Sequence, residues 1–368
     1  MKASGGDDVY EIEIDGREYA IHAFTETGEH TFEVEEEGEV DVLVVAGGGG
    51  GGNDDRGGGG GAGGLVFVPE LSLDKDSYDV TIGAGGSPDS SGNDSVFDQL
   101  VALGGGRGSD DRDRSSSYSE GGSGGGAARH QHDDGSHEVG KGLQPEQDGL
   151  SGECGFGNDG GESGTDSWSG AGGGGGALEA GKSGTSGETS ESGGDGGDGK
   201  YFGDKFGNDV GEDGYFAGGG GGLTSGTGDY GEGGKGGGGK GGARASNVGD
   251  EFGGTSGLKN TGGGGGGLYS DADGNGDGGS GIVLVRYPLS VYLVFGTIFL
   301  EDTPVENAQV FAVDQETDAR YEATTDENGE YEIEVNQQNP CHVFVEYEVD
   351  GQRYYADARQ DVQPVEQD

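Results

Sequence analysis

The stretch Val42-Leu43-Val44-Val45-Ala46 leads directly into the glycine run Gly47–Gly52. The reverse transition occurs at Gly278-Gly279-Ser280-Gly281, which leads into Ile282-Val283-Leu284-Val285-Arg286-Tyr287. Most of the 93 glycines lie between these two apolar, strand-like segments. The fold therefore depends on whether 47–281 is an ordered element or a disordered tether.

Composition and local pattern point in different directions for this region. The glycine and proline content, without a strict period, is typical of low-complexity sequence. Glycine can also adopt the polyproline II helix, which has three residues per turn and no internal hydrogen bonds, so such helices must pair with one another. The recurrence of short runs favours a polyglycine II bundle with polar segments as its end loops. The runs are Gly57–Gly61, Gly172–Gly176, Gly218–Gly222, Gly236–Gly239 and Gly262–Gly267.

Alternation of apolar and polar residues predicts strands on both sides of the glycine. Tyr10, Ile12 and Ile14 alternate with acidic residues, and Asp15-Gly16 is a hairpin signal. We expect an all-β protein: an antiparallel β-sandwich with a long polyglycine II bundle inserted, followed by a second, small β-sandwich. The predicted parts are flanking strands in 1–46 and 282–288, further strands in 65–103, the glycine-rich region 47–281, and a C-terminal sandwich 289–368.

The charge is extreme and evenly distributed. The chain has 20 basic and 71 acidic residues, a formal net charge of −51. Self-repulsion opposes compaction unless salt screens it, and the Debye length falls to about 3 Å in 1 M salt. We interpret the uniform acidity as adaptation to concentrated salt. It also argues against a nucleic-acid partner, because phosphate contacts need a basic surface.

The sequence also lacks several targeting signals. It has no apolar run of about 20 residues, so we expect no membrane insertion. The start, Met1–Asp8, has no apolar stretch of the kind found in signal peptides. We expect the chain to be made and kept in the cytoplasm, or released by lysis inside a particle. Cys154 and Cys341 lie in dissimilar regions and do not indicate a disulfide framework.

Four phrases occur in an order that resembles the glycine-rich domain of phage tail fibres and adhesins. They are Ile21–Thr25, Val40–Gly52, Tyr78–Gly86 and Gly279–Tyr287. The resemblance covers roughly Val9 to Tyr287 and implies a polyglycine II bundle whose exposed loops contact a host. The loops here are acidic rather than rich in Ser, Thr and Asn, which fits a haloarchaeal tailed virus and leaves the receptor open.

The C-terminal part is similar to carboxypeptidase-regulatory-like sandwiches, which have an immunoglobulin- or transthyretin-like fold. The phrases that carry this similarity are Gly296-Thr297-Ile298, Thr303–Val310 and Thr324–Tyr331. The resemblance implies a structural or adhesive module, and nothing of a catalytic peptidase accompanies it.

Two segments carry possible metal ligands. Asp271, Asp273, Asn275 and Asp277 present oxygen atoms at alternate positions, as in a calcium loop, but Ile282 occupies the position of the final Glu. The alternative is a solvated turn.

A second candidate is His130-Gln131-His132, which could ligate a transition metal. It also resembles the His-x-His element that binds iron on the axis of some trimeric phage fibres. The alternative is a polar loop without a ligand role. Apart from possible calcium, we expect no cofactor.

Six aromatic residues within the polar segments are receptor-binding candidates, because aromatic side chains are enriched at interface hot spots. The alternative is that they cover the ends of the bundle. They are Trp168, Tyr201, Phe202, Phe206, Tyr215 and Phe216.

These observations favour a non-enzymatic virion surface protein, such as a tail fibre, tail tip or capsid-surface component, that presents loops for host attachment in high salt. The expected partners are further copies of the chain in a trimer or pentamer, other virion proteins, and a host surface glycoprotein or S-layer. The alternatives are a haloarchaeal cell-surface adhesin and a non-enzymatic spacer module. Catalysis has little support, since Ser, His and Asp are too plentiful for their co-occurrence to be informative.

Overall fold

The computed structural model describes residues 1–53, 56–110, 119–129, 139–144, 155–165, 169–187, 191–224, 228–243, 253–269, 275–289, 292–335, 339–349 and 352–366. The chain divides into two compact units, Met1–Pro288 and Leu289–Asp368. Nearly all regular structure in them is antiparallel β-sheet, so the all-β prediction is confirmed. Among the described residues, no helix has the length and apolar character that a membrane crossing needs.

The first unit contains two stacked antiparallel sheets. Its elements are β1 (Lys2–Ser4), β2 (Asp8–Ile14), β3 (Arg17–Phe24), β4 (Gly28–Glu36), β5 (Gly38–Val45), β6 (Leu65–Leu73), β7 (Ser77–Ile82), β8 (Ser95–Phe97), β9 (Leu100–Ala102), β10 (Gly155–Phe156), β11 (Lys200–Tyr201), α1 (Gly203–Phe206), β12 (Tyr215–Phe216) and β13 (Ile282–Pro288). Sheet A has the strand order β1-β4-β7-β8-β9, and sheet B has the order β10-β6-β5-β13-β3-β2.

The strands on either side of the glycine region are neighbours in sheet B. Strand β13 lies between β3 and β5, so that Val283 pairs with Phe24 on one side and with Val44 on the other. The chain therefore leaves the sheet after Val45 and returns at Ile282, directly opposite. An insertion of any length can be accommodated between two such adjacent strand ends.

The central strands of sheet B are buried on both faces. Ile282 and Leu284 of β13 pack in a cluster with Phe206 of α1, while Val283 and Val285 point to the opposite face and are also buried. A strand that is covered on both sides has no reason to alternate apolar and polar residues. This explains the continuous apolar runs at the two transitions in the sequence.

The inserted region is a bundle of extended glycine segments joined by backbone hydrogen bonds. In 47–52, the first and fourth N–H groups donate to 90–93, the second and fifth to 276–279, and the third and sixth to 58–61, all at 2.8–3.0 Å. The donor direction repeats every three residues, which is the period of the polyproline II helix. The same three-way pattern occurs in 58–63, 172–177 and 218–223. The described part of the region is thus a polyglycine II bundle.

Close approach of the backbones is what requires glycine in the bundle interior. A Cβ on Gly174 would lie 2.0 Å from the carbonyl oxygen of Gly60, and a Cβ on Gly60 would lie 2.1 Å from that of Gly49. The obstructing atoms are backbone, so no side-chain rotation could relieve the contact. Alanine occurs where there is room, and Ala62 and Ala177 are both buried.

The second unit is a smaller β-sandwich. Its strands are β14 (Tyr292–Thr297), β15 (Phe299–Leu300), β16 (Thr303–Pro304), β17 (Gln309–Asp314), β18 (Arg320–Thr324), β19 (Glu330–Val335), β20 (Cys341–Val349), β21 (Gln352–Val362) and β22 (Val365–Glu366). One sheet has the order β19-β14-β22 and the other β18-β17-β20-β21. Between them lies an apolar core that includes Val294, Val310, Ile333 and Val343.

Candidate functional site

The direction of each glycine run assigns its connections to one of two ends of the bundle. The run 47–52 leaves the sandwich after β5 and the run 57–64 returns to it at β6, so Asn53 and Arg56 lie at the end far from the sandwich. Hydrogen-bond registers place the described residues that flank many other connections at the same end. These flanking residues, which we call the distal surface, are Asn53, Arg56, Asp89, Asp110, Arg129, Thr165, Glu191, Thr224, Ala243, Tyr269 and Asn275.

Apolar side chains close the bundle beneath the distal surface. Leu223 and Tyr269 pack with Ala171 in one buried cluster, and Leu268 is also buried. Leu223 and Leu268 each come directly after a glycine run. The first large side chains after a run thus fill the space that the narrow glycine helices leave at their ends. Sequence reasoning missed these residues, although their position after a run is a usable signal.

Hydrogen bonds between different connections hold the distal surface together. The backbone N–H of Asn53 donates to Oδ1 of Asp89 at 2.8 Å. The Thr224 hydroxyl donates to the carbonyl oxygen of Glu191 at 3.0 Å, and both residues are buried. Each bond joins two turns that are distant in sequence, so the bases of these loops have fixed relative positions.

Trp168, His130 and His132 lie outside the described residues. The chain enters 130–138 from the distal surface, since the N–H of Arg129 donates to the carbonyl oxygen of Arg56 at 2.9 Å. The receptor role of Trp168 and the metal role of the two histidines stay predictions.

The other five aromatic candidates lie at the sandwich end of the bundle, in the segment 200–216. Phe202, Phe206 and Phe216 are buried and belong to the cluster that covers the outer face of sheet B. This burial corrects the receptor-contact interpretation for the three phenylalanines, because side chains packed on a sheet have no surface left for a partner. Tyr201 is exposed and Tyr215 half-buried, with ring centroids 5.0 Å apart, and for them a receptor role stays a prediction.

A buried arginine attaches this covering segment to the sheet. Arg286 on β13 forms an ion pair with Asp41 on β5 and donates from Nη1 to the carbonyl oxygen of Lys205 at 2.9 Å. Its guanidinium carbon also lies 4.4 Å from the ring centroid of Tyr19 on β3. Because these partners come from two neighbouring strands and from α1, the arginine fixes the position of the helix on the sheet.

The described half of the calcium-like segment is hydrogen-bonded to itself. Asn275 donates from Nδ2 to Oδ2 of Asp277 at 2.5 Å, and burial raises the pKa of the Asp277 carboxyl. Asp271 and Asp273 lie outside the described residues, so the calcium site stays a prediction. Within the described ranges, no group of three or more His, Cys, Asp or Glu residues could hold a metal ion.

Comparison with known proteins identifies the class of the first unit. A family model described as a glycine-rich domain matches residues 25–288. The chain therefore belongs to the glycine-rich domain family, and the match spans the sandwich strands from β4 onward together with the bundle. No curated protein matches the chain.

Proposed function

We propose that the protein is a non-enzymatic attachment protein of a virus particle, and that its bundle holds loops away from the particle for contact with a host cell. The observation that carries the proposal is the separation of the two ends of the bundle. The strands that belong to the sandwich collect at one end, and the bases of many loops collect at the other. A rigid scaffold of this kind allows the loops to vary without changing the fold.

The virion location and the haloarchaeal origin rest on the sequence. The ordered phrases from Ile21 to Tyr287 resemble phage tail-fibre domains, and the net charge of −51 favours work in concentrated salt. We propose a homo-oligomer, as a trimer or pentamer, with other virion proteins at the sandwich end and a host surface glycoprotein or S-layer at the distal surface.

Immuno-electron microscopy of purified particles with antibodies against this chain tests the location. Labelling of the tail or the capsid vertices is expected. Label confined to the host cell envelope would instead support the alternative, a cellular adhesin.

Loop exchange tests the attachment role. Replacing 244–252 by a Gly-Ser segment of equal length is expected to reduce adsorption of particles to host cells at least about tenfold, since hot-spot contacts dominate interfaces. The same treatment of the turn 178–180, at the sandwich end, is the matched control. Equal adsorption by wild-type particles and by variants of each distal loop in turn would refute the proposal.

A further inference from the structure

The smaller sheet of the second unit has an open edge. Strand β14 is paired along its whole length with β19 on one side. On its other side, β22 pairs only with Tyr292 and Leu293, and no described strand lies beside Val294–Thr297. The larger sheet has four strands, of which β21 alone spans 11 residues. Beside most of β14, the smaller sheet therefore lacks a neighbouring strand among the described residues.

Backbone hydrogen-bonding groups of β14 face this open edge. The N–H of Ile298, directly after β14, donates to the carbonyl oxygen of Gly329 at 2.8 Å, on the β19 side. In an antiparallel pair, successive residues direct their backbone groups to opposite sides of the strand. Those of Phe295 and Thr297 therefore point away from β19, toward the open edge. An added strand would find donors and acceptors there with the spacing of a sheet.

The edge of β14 also lacks the charges that protect other strand edges. Exposed edges commonly carry charged residues, which prevent pairing with another chain. The edge strand β2 of sheet B does so with Asp8, Glu11 and Glu13. Strand β14, Tyr292–Thr297, has no charged residue, although 25% of the chain is charged. Its edge is thus open to strand pairing in a chain that protects β2 against it.

A groove of about 390 Å³ between the two sheets opens beside this edge. Inward-facing side chains line it, among them Ile298, Tyr347 and Val362, which pack against the core of the unit. Ala356 also faces inward, because it pairs with the buried Val345, yet it is exposed. An inward-facing residue is exposed where the opposite sheet does not cover it. The groove is thus the part of the sandwich core that the short β22 leaves uncovered.

The surroundings decide which charge a partner can carry. Residues 289–368 contain 19 acidic and 3 basic residues, so an acidic partner would be repelled. None of the described residues that line the groove is charged. On the outer face of β14, Phe295 is 59% exposed and pairs directly with Glu332 of β19. A Lys or Arg on an added strand would lie beside this ring, whose negative face attracts cations, with the Glu332 carboxylate behind it.

A second copy of the chain fits this edge poorly. Every strand of the described residues already belongs to a sheet, so a copy could donate one only by removing it from its own sheet. Exposed faces of these strands are also acidic, as in β19, where Glu330, Glu332 and Glu334 alternate with inward-facing residues. Charge and strand pairing therefore both favour a different polypeptide.

We propose that the open edge of β14 and the groove beside it bind an extended segment of another protein. The segment adds to the smaller sheet next to β14. Main-chain hydrogen bonds to Phe295 and Thr297 provide affinity, and apolar side chains at every second position fill the groove. Lys or Arg residues between them face outward, over Phe295. The added strand completes the sandwich, as β22 begins to do at Leu293.

This inference deepens the proposed function, since the identity of the donor rests on it: the segment would belong to another protein of the particle. Binding itself can be measured without particles or cells. The full-length chain in molar salt is applied to an array of peptides of about eight residues, a common strand length. In these peptides, Val, Ile, Leu or Phe alternates with Lys, Ser or Glu. Peptides with Lys are expected to bind best, and those with Glu at least about threefold more weakly than those with Ser.

Backbone methylation of the best peptide tests strand addition. Methyl groups on the nitrogens of every second residue block hydrogen bonds on one side of the peptide only. One of the two possible sets is expected to weaken binding at least about tenfold, because it blocks the bonds to β14. The other set leaves those bonds intact and is expected to stay within about threefold. Equal affinities of the two methylated peptides would contradict strand addition.

Thr297→Pro tests the edge in the protein itself. The N–H of Thr297 points outward, and proline is tolerated at such a position on an edge strand. The variant is expected to fold, as circular dichroism can show, and to bind at least about tenfold more weakly, because proline removes a donor and its ring blocks an approaching strand. Thr297→Ala keeps the N–H and is the matched control. Ala356→Trp fills the groove from an exposed position and is expected to weaken binding likewise, which decides the matter if Thr297→Pro unfolds.

Failure of every peptide on the array to bind would overturn the proposal. So would binding that Thr297→Pro and Ala356→Trp leave unchanged. Self-association of the chain that Thr297→Pro abolishes would also overturn it, because a second copy would then occupy the edge. If no peptide binds while exchange of distal loops still lowers adsorption, this inference fails and the proposed function stands.

Discussion

At the scale of single residues, the bundle interior requires glycine because there is no space for a side chain. Neither Gly174 nor Gly60 has a left-handed φ, so another residue could adopt its backbone conformation. A side chain is excluded because its Cβ would lie 2.0–2.1 Å from a neighbouring carbonyl oxygen, far inside van der Waals contact. Because every interior helix touches several others, movement of one backbone would break hydrogen bonds to its neighbours.

Gly174→Ala is therefore expected to lower the free energy of unfolding of the first unit by about 3 kcal/mol or more, at the upper end of overpacking effects. Gly16→Ala is the control. Gly16 has φ +82° and no atom within 4 Å of an added Cβ, so only the conformational cost of about 1–2 kcal/mol applies. Denaturant titration at constant salt measures both. Equal losses in the two variants would contradict the steric explanation.

A buried histidine predicts a dependence of stability on pH. His22 donates from Nδ1 to the carbonyl oxygen of Gly5 at 2.7 Å, and its Nε2 is hydrogen-bonded to the hydroxyl of Tyr287 at 3.1 Å. Burial lowers its pKa, although the bond to Gly5 opposes this effect. Below the unfolded pKa of about 6.5, the unfolded chain binds a proton that the folded chain excludes.

The free energy of unfolding is thus expected to fall as the pH decreases from about 7 to about 5. His22→Gln removes the titrating group and is expected to flatten the curve in this window. Urea titrations at several pH values provide the measurement, and an identical pH slope in wild type and variant would contradict the role of His22.

At the scale of elements, β5 and β13 connect the sandwich to the bundle, and the segment from β11 to β12 covers the sheet that they form. This covering is the reason that Phe202, Phe206 and Phe216 are buried although they follow polar, glycine-rich sequence. Tyr10 contributes from β2, since its hydroxyl donates to the carbonyl oxygen of Phe206 at 3.0 Å.

Phe206→Ala is expected to destabilise the first unit by about 3–5 kcal/mol, as large-to-small changes in a core do. Tyr201 lies in the same segment, but its ring is exposed. Tyr201→Ala is therefore expected to lower the free energy of unfolding by about 1 kcal/mol or less. Thermal and denaturant unfolding distinguish the two. A small effect of Phe206→Ala would mean that the segment does not cover the sheet in solution.

At the scale of the whole molecule, a net charge of −51 acts against every compact state. The described exposed ion pairs, such as Lys182 with Asp195 at 2.9 Å, contribute little, because solvent screens them. Stability in this chain is therefore expected to depend strongly on dissolved salt.

Dialysis from molar salt to about 0.05 M is expected to unfold the chain or sharply lower its melting temperature, because the Debye length grows several-fold. Circular dichroism follows the transition. Sucrose at equal osmolality is the control, since it is excluded from the protein surface but does not screen charge. Full retention of structure in dilute buffer would contradict the halophilic interpretation.

Much of the fold was accessible from local pattern. The glycine runs that begin at Gly57, Gly172 and Gly218 predicted the polyglycine II bundle. Only close lateral packing of such runs pairs the backbone N–H and C=O groups of consecutive glycines. The burial of Phe206 was not accessible, because its contacts with Ile21 and Leu43 join residues far apart in sequence. The distal surface was likewise hidden, since each run's direction follows from its hydrogen-bond register.

The sequence by itself determined the all-β class, the polyglycine II character of the inserted runs and the strongly acidic surface. Each of these depends on composition and on periods shorter than about ten residues. Only the tertiary structure decided which connections share an end of the bundle and which aromatic side chains are buried. Those outcomes depend on packing between segments distant in the chain, which no local pattern encodes.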